Sequence, residues 1–205
     1  MNSTIDTKKI ALAGLFTAAS LVLSFVQIPI FPAAPYLMYD PSGIVCLIAA
    51  LVFGPRMGAA VAIISWLPRL FLDPFGAPMG MISTCSLVIP AALIYRAGTP
   101  SSAGTPRRTR ALAGMVCGAI LSVVLSCAMN LVVTPLYTAV SVADVAAMII
   151  PILIPFNTLK MAINVAAGQV LLKPCLNVLQ ASGFGGPDAA SATATTSAPT
   201  DRNRR

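Results

Sequence analysis

Residues 145–172 read VAAMIIPILIPFNTLKMAINVAAGQVLL, an apolar run interrupted by Pro151 and Pro155 and carrying one charge, Lys160. About 20 apolar residues cross a bilayer as a helix, so this run is too long for one simple span. Proline is tolerated in the first turn of a helix. The run therefore divides into a lead-in segment and a helix starting near Pro155. On that helix Asn157, Lys160 and Asn164 fall at i, i+3 and i+7 and share one face. A lysine within a span costs ~2.5–3.5 kcal/mol on insertion scales, and Lys160 is not close enough to a chain end to snorkel freely. It marks a candidate functional site; the competing reading is a cation satisfied by backbone carbonyls or lipid headgroups.

Working outward, five more apolar runs precede this one: Ile10–Ile28, Gly43–Phe53, Met57–Leu72, Met79–Tyr95 and Ala111–Val133. The second is short, about 17 Å at ~1.5 Å per residue, and must extend into its flanks or be sheltered by neighbours. Lys8 and Lys9 ahead of the first run could suggest a signal peptide, but that run is long for a cleaved segment and no A-x-A site closes it. The chain is 57% hydrophobic and 9% charged, too few charges to cover a soluble globule, for which roughly 25% is usual. These features predict an all-α membrane protein of six transmembrane helices, with a membrane domain over residues 1–181 and a disordered cytoplasmic tail over 182–205.

Charge placement orients the chain. With the N-terminus inside, eleven of the thirteen basic residues fall on the cytoplasmic side, as the positive-inside rule requires. Both termini are then cytoplasmic, and 97–109 is the main cytoplasmic loop. Asp40, Asp73 and Asp144 fall outside, Arg69 is the only outside basic residue, and Lys160 lies within a helix. The net charge of +7 reflects this segregation rather than a nucleic-acid face. The outer loop after the first helix, IPIFPAAPYLMYDP, holds four prolines and reads as a structured lid.

Several function classes drop out. There is no Glu, no His and no G-x-x-x-x-G-K-[ST], which removes P-loop hydrolysis and the usual metal and general-base clusters. All six Asp fall in loops or ends, so no buried carboxylate is expected for proton coupling or catalysis. Cys46, Cys85, Cys117, Cys127 and Cys175 form no C-x-x-C and read as buried small hydrophobes, with no metal or disulfide role. Binding, pore formation or scaffolding remain.

Asn130 lies on the fifth run with Ser122 and Ser126 on its side. The serines most often bond the carbonyl four residues back, and Asn130 is either a ligand contact or interhelical glue. Asn130 and Asn157 should both lie toward the outer leaflet. An Asn amide offers a donor beside an acceptor and a Lys offers donors only, which suits a neutral, flat, carbonyl-rich ring. A single cation argues against a phosphate-bearing ligand. Asp40 could accept hydroxyl hydrogens, Tyr36, Tyr39 and Phe156 could stack on a ring, and Met79 and Met81 could line an adaptable wall. On the first helix Ala11, Gly14, Ala18 and Ala19 form a small-residue face that another helix can approach closely.

The segments YLMYDPSGI, LVFGPRMGA, VIPAALIYR, MNLVVTPLY and IPFNTLKMAI carry a family resemblance. Over residues 8–174 the chain resembles the substrate-binding S components of energy-coupling-factor (ECF) vitamin transporters, most closely the riboflavin type. The resemblance implies capture of riboflavin beneath the loop after helix one, with no cofactor. It further implies a prokaryotic cell-membrane location and assembly with a transmembrane coupling protein and two cytoplasmic ATPases. Asn130, Asn157 and Lys160 match riboflavin-contacting positions, and the small face of helix one matches the surface that meets the coupling protein. Helix four departs: the family's Gly-Glu-Leu-Ala-Asn is here Gly80-Met81-Ile82-Ser83-Thr84. An S component for another flat vitamin, or a channel or scaffold without a specific ligand, are the alternatives.

Overall fold

A computed structural model of the chain describes residues 7–32, 37–97 and 107–181. Seven α-helices follow in order: α1 (Thr7–Ser24), α2 (Ser42–Phe53), α3 (Pro55–Trp66), α4 (Gly76–Arg96), α5 (Arg107–Tyr137), α6 (Val142–Met148) and α7 (Ile154–Ala181). A 3-10 turn, Leu67–Phe71, extends α3, and a π turn, Ile149–Leu153, joins α6 to α7. Among the described residues there is no strand, only an isolated bridge between Ile28 and Tyr39. Four stretches are long and apolar enough to cross a membrane: α1, α4, 108–136 within α5, and 142–179 through α6 and α7.

The short second run forms α2, and its shelter comes from neighbours. Every residue from Cys46 to Val52 is buried, against α1, α3, α4 and α7. Gly54, the one described residue with positive φ, turns the chain directly into α3; glycine adopts that conformation without a Cβ penalty. Arg96 at the end of α4 donates from Nη2 to Val52 O at 2.9 Å, satisfying one of the carbonyls that a helix C-terminus leaves open.

The third run was expected to continue as one segment to Leu72, but α3 ends at Trp66 and tightens into the 3-10 turn. Pro68 has no N–H to continue the α ladder. This change of pitch carries Arg69 inward, where it is buried. The sixth run divides as its prolines predict. In the π turn Ile154 N–H bonds Ile149 O, five residues back, a wide turn of the kind found at functional sites.

Helices α4 and α5 approach each other closely at Gly114-x-x-x-Gly118. A Cβ at Gly114 would sit 2.6 Å from Ala91 O, and one at Gly118 would meet Leu87 O. That spacing lets two helix backbones touch inside a membrane. Large apolar side chains stay exposed around the outside, among them Phe71, Leu136, Ile150 and Val170, as a lipid-facing belt requires. Residues 98–106 and 182–205, which hold most of the expected cytoplasmic loop and tail, lie outside the described residues, as does Tyr36.

Candidate ligand-binding site

One cavity of about 390 Å³ opens between the segment after α1, the junction of α3 with α4, α5 and α7. It falls within the ~300–1,000 Å³ range of small-molecule sites. Met38 and Asp40 reach it from the segment after α1; Trp66 and Arg69 come from the end of α3 and its 3-10 turn. Asp73 lines it from the turn before α4, Met79, Gly80 and Ser83 from the start of α4, Ser126 and Asn130 from α5, and Phe156, Asn157 and Lys160 from α7.

Lys160 has a partner of neither expected kind. Its Nζ lies 3.3 Å from Asp40 Oδ2. The expectation that no carboxylate is buried is corrected here: Asp40 is 5% exposed. It lies only two residues before α2, close enough for the chain to fold it under α7, and sequence position alone hid its depth. Ser42 Oγ donates to the other carboxylate oxygen. Buried charges persist when paired and hydrogen-bonded, and Asp40 is both.

The asparagines are oriented by their own helices. Asn157 Nδ2 donates to Leu153 O at 2.8 Å, at the point where the π turn gives way to α7. Asn130 Nδ2 donates to Ser126 O at 2.8 Å, and its Oδ1 accepts from Thr134 Oγ1 at 3.1 Å. Both bonds stay within α5, so Asn130 is not interhelical glue. Each amide keeps a second N–H and further acceptor capacity for a ligand. Ser122 bonds across to α4 rather than back along its own helix: its Oγ donates to Ser83 O at 2.8 Å and lies 3.0 Å from Ser83 Oγ.

The other expected site residues divide. Met79 lines the cavity, whereas Met81, Tyr39 and Asn164 do not. Tyr39 and Asn164 bond each other instead, with Tyr39 Oη donating to Asn164 Oδ1 at 3.0 Å. Burial first, and the adjacent Asp40 charge second, push the Tyr39 phenol up to about 12, so it remains a neutral donor. This contact fastens the segment after α1 to α7, and the Ile28–Tyr39 bridge, whose two backbone bonds are each 2.8 Å, joins the two ends of that segment. Ala11, Gly14, Ala18 and Ala19 are all exposed on α1.

Trp66, Arg69, Asp73 and Ser83 line the cavity without having been singled out by the sequence. One signal was available for Arg69: with Lys160, it is one of the two cations that charge segregation leaves off the cytoplasmic side. The expected single cation is therefore corrected to two. Among the described residues no group of His, Cys, Asp or Glu could hold a metal ion.

A bundle of apolar helices around a polar, ion-paired cavity defines a membrane protein that binds a small molecule. The chain matches the family of ECF transporter, substrate-specific components over residues 8–171 and belongs to it. It is a transport subunit, not an enzyme. It is 31% identical to a protein named riboflavin transporter RibU from Staphylococcus aureus (strain TCH60), covering 76% of this chain and 83% of that one. A second riboflavin transporter RibU, from Streptococcus thermophilus (strain ATCC BAA-250 / LMG 18311), is 25% identical over 85% of each chain. Among solved structures, a chain described under "Structure and mechanism of the S component of a bacterial ECF transporter" superposes with a TM-score of 0.69. It is 25% identical, covering 84% of this chain and 98% of that one.

Proposed function

We propose that this chain captures riboflavin at the outer side of the cell membrane and delivers it inward with an ECF coupling protein and two ATPase subunits. The observation that carries this reading is Lys160, ion-paired to Asp40 and placed with Asn130 and Asn157 on one cavity. Two amides beside the Lys160 ammonium match a ring that alternates N–H and carbonyl groups. Residues 1–181 form the binding domain, crossing the membrane six times with both termini in the cytoplasm, and 182–205 form a cytoplasmic tail. Segregation of the basic residues supports that orientation. Asn130, Asn157, Lys160, Asp40 and Met79 contact the vitamin. Tyr39 and Asn164 act one layer out by holding the segment after α1 closed, and Met81 supports the α4 wall. The exposed face of Ala11, Gly14, Ala18 and Ala19 docks on the coupling protein.

The test is titration of riboflavin against purified protein, followed by quenching of flavin fluorescence. Saturable binding at nanomolar to low-micromolar vitamin is expected. Mass spectrometry of a co-purified molecule other than a flavin would redirect the assignment to another flat vitamin.

A further inference from the structure

We infer that Thr134, which does not line the cavity, is a positioning residue for it: its hydroxyl holds the Asn130 amide in one orientation and so sets which donor and which acceptor Asn130 presents to the ligand ring. The inference rests on the flavin reading above. Helical threonines commonly turn their hydroxyls back to the main-chain carbonyl four residues earlier. Thr17 Oγ1 donates in this way to Ala13 O at 2.8 Å, and Thr138 Oγ1 to Thr134 O at 2.7 Å. Thr134 Oγ1 instead donates to the side-chain Oδ1 of Asn130 at 3.1 Å. Pro135, inside α5, has no N–H, and the end of the helix beyond it is held at the Thr134 carbonyl. That carbonyl accepts from Thr138 N at 3.1 Å as well as from the Thr138 hydroxyl. Those bonds use the main chain of Thr134, not its side chain.

Asn130 is 8% exposed and lines the cavity. Its Nδ2 donates to Ser126 O at 2.8 Å. A carbonyl only accepts, so turning the amide over would set two acceptors against each other. Ser126 O therefore fixes which end of the amide carries the donor, while the Thr134 hydroxyl takes one lone pair of Oδ1 and stops the amide plane from swinging. One N–H and one lone pair remain, in a fixed order, for a ring edge that alternates C=O and N–H. A side chain already held in place needs less ordering when the ligand arrives. Asn157 supplies the contrast. Its Nδ2 makes the same kind of bond, to Leu153 O at 2.8 Å, but the residue four positions on is Met161, which has no hydroxyl. Thr134 should therefore act on the ligand through Asn130 alone.

The experiment titrates full-length wild-type protein, Thr134→Val and Thr134→Ser with riboflavin, read by flavin fluorescence, and repeats the valine substitution in Asn130→Ala and Asn157→Ala backgrounds. Valine keeps the shape of threonine and the main-chain carbonyl that holds the helix end, but has no hydroxyl. Thr134→Val should weaken riboflavin binding about fivefold or more, and Thr134→Ser, which keeps the hydroxyl, should stay within about twofold of wild type. In the Asn130→Ala background the valine substitution should cost less than about twofold, because effects that run through a shared partner do not add. In the Asn157→Ala background it should keep its full effect. Thr134→Ala also lacks the hydroxyl and gives the same comparison if the valine variant fails to fold. Full affinity in Thr134→Val, or a serine variant as weak as the valine one, would overturn the positioning role. So would an undiminished loss in the Asn130→Ala background, the mark of a purely structural Thr134. Wild-type protein that binds no flavin would overturn the flavin reading itself, and this role with it.

Discussion

Lys160 and Asp40 form an ion pair at the cavity wall, Nζ to Oδ2 3.3 Å, with Asp40 buried and Lys160 half-buried. Replacing Lys160 with Ala removes the proposed ligand donor and takes the ion-pair partner from Asp40 in one step. Riboflavin affinity should fall at least about tenfold, ~1.4 kcal/mol, measured by fluorescence titration. Trp66 supplies a second residue-scale test because it is the only tryptophan in the chain and lines the cavity. A flavin bound beside it absorbs where indole emits, so intrinsic fluorescence should be quenched in proportion to occupancy. Gly80 leaves room for that indole: a Cβ there would collide with its six-membered ring. Gly80→Ala should displace Trp66 and weaken riboflavin binding severalfold, with a shift of the unliganded emission maximum that reports the movement.

At the scale of elements, Tyr39 ties the segment after α1 to α7. Tyr39→Phe removes the 3.0 Å bond to Asn164, which is 1% exposed and cannot turn to water. A buried polar group left unsatisfied costs ~1–3 kcal/mol. The expected outcomes are a lower thermal midpoint in detergent and faster ligand dissociation, read by stopped-flow fluorescence. The division of the last apolar run into α6, a π turn and α7 was legible because Pro151 and Pro155, four residues apart, each lack the N–H that the α ladder uses, whereas the isolated Pro90, Pro135 and Pro174 stay inside α4, α5 and α7. The 3-10 turn after α3 was less legible. Pro68 signals a break, but a proline near the end of an apolar run fits a simple helix end equally well. Only packing shows that the chain continues inward and presents Arg69 to the cavity.

For the whole molecule, the small face of α1 is separated from the cavity. A Cβ at Gly14 would meet nothing within 4 Å, and Ala18 and Ala19 are exposed. A bulky side chain there fits the isolated subunit without strain but would obstruct a partner helix. Gly14→Leu should leave riboflavin affinity within about twofold of wild type, less than ~0.5 kcal/mol, while abolishing uptake by cells that carry the coupling module. Loss of both would place Gly14 in the fold rather than at the docking surface.

The membrane character of the chain and its helical runs were legible because one-dimensional hydrophobic patterning directly reflects the solvent around each segment. The common face of Asn157, Lys160 and Asn164 followed from helix geometry, which is equally local. Which members of that face reach the ligand cavity was decided only in three dimensions. Asn164 turns to Tyr39, while Lys160 and Asn157 line the cavity. The partner of Lys160 lies 120 residues away in the chain, and no local pattern links the two. Arg69 and Asp73 could be read as outer-surface charges until the turn after α3 buried Arg69 and set the half-buried Asp73 on the cavity. Hydropathy determines which segments leave water, but the pairing of buried charges depends on distances between helices, and only the packed bundle sets those.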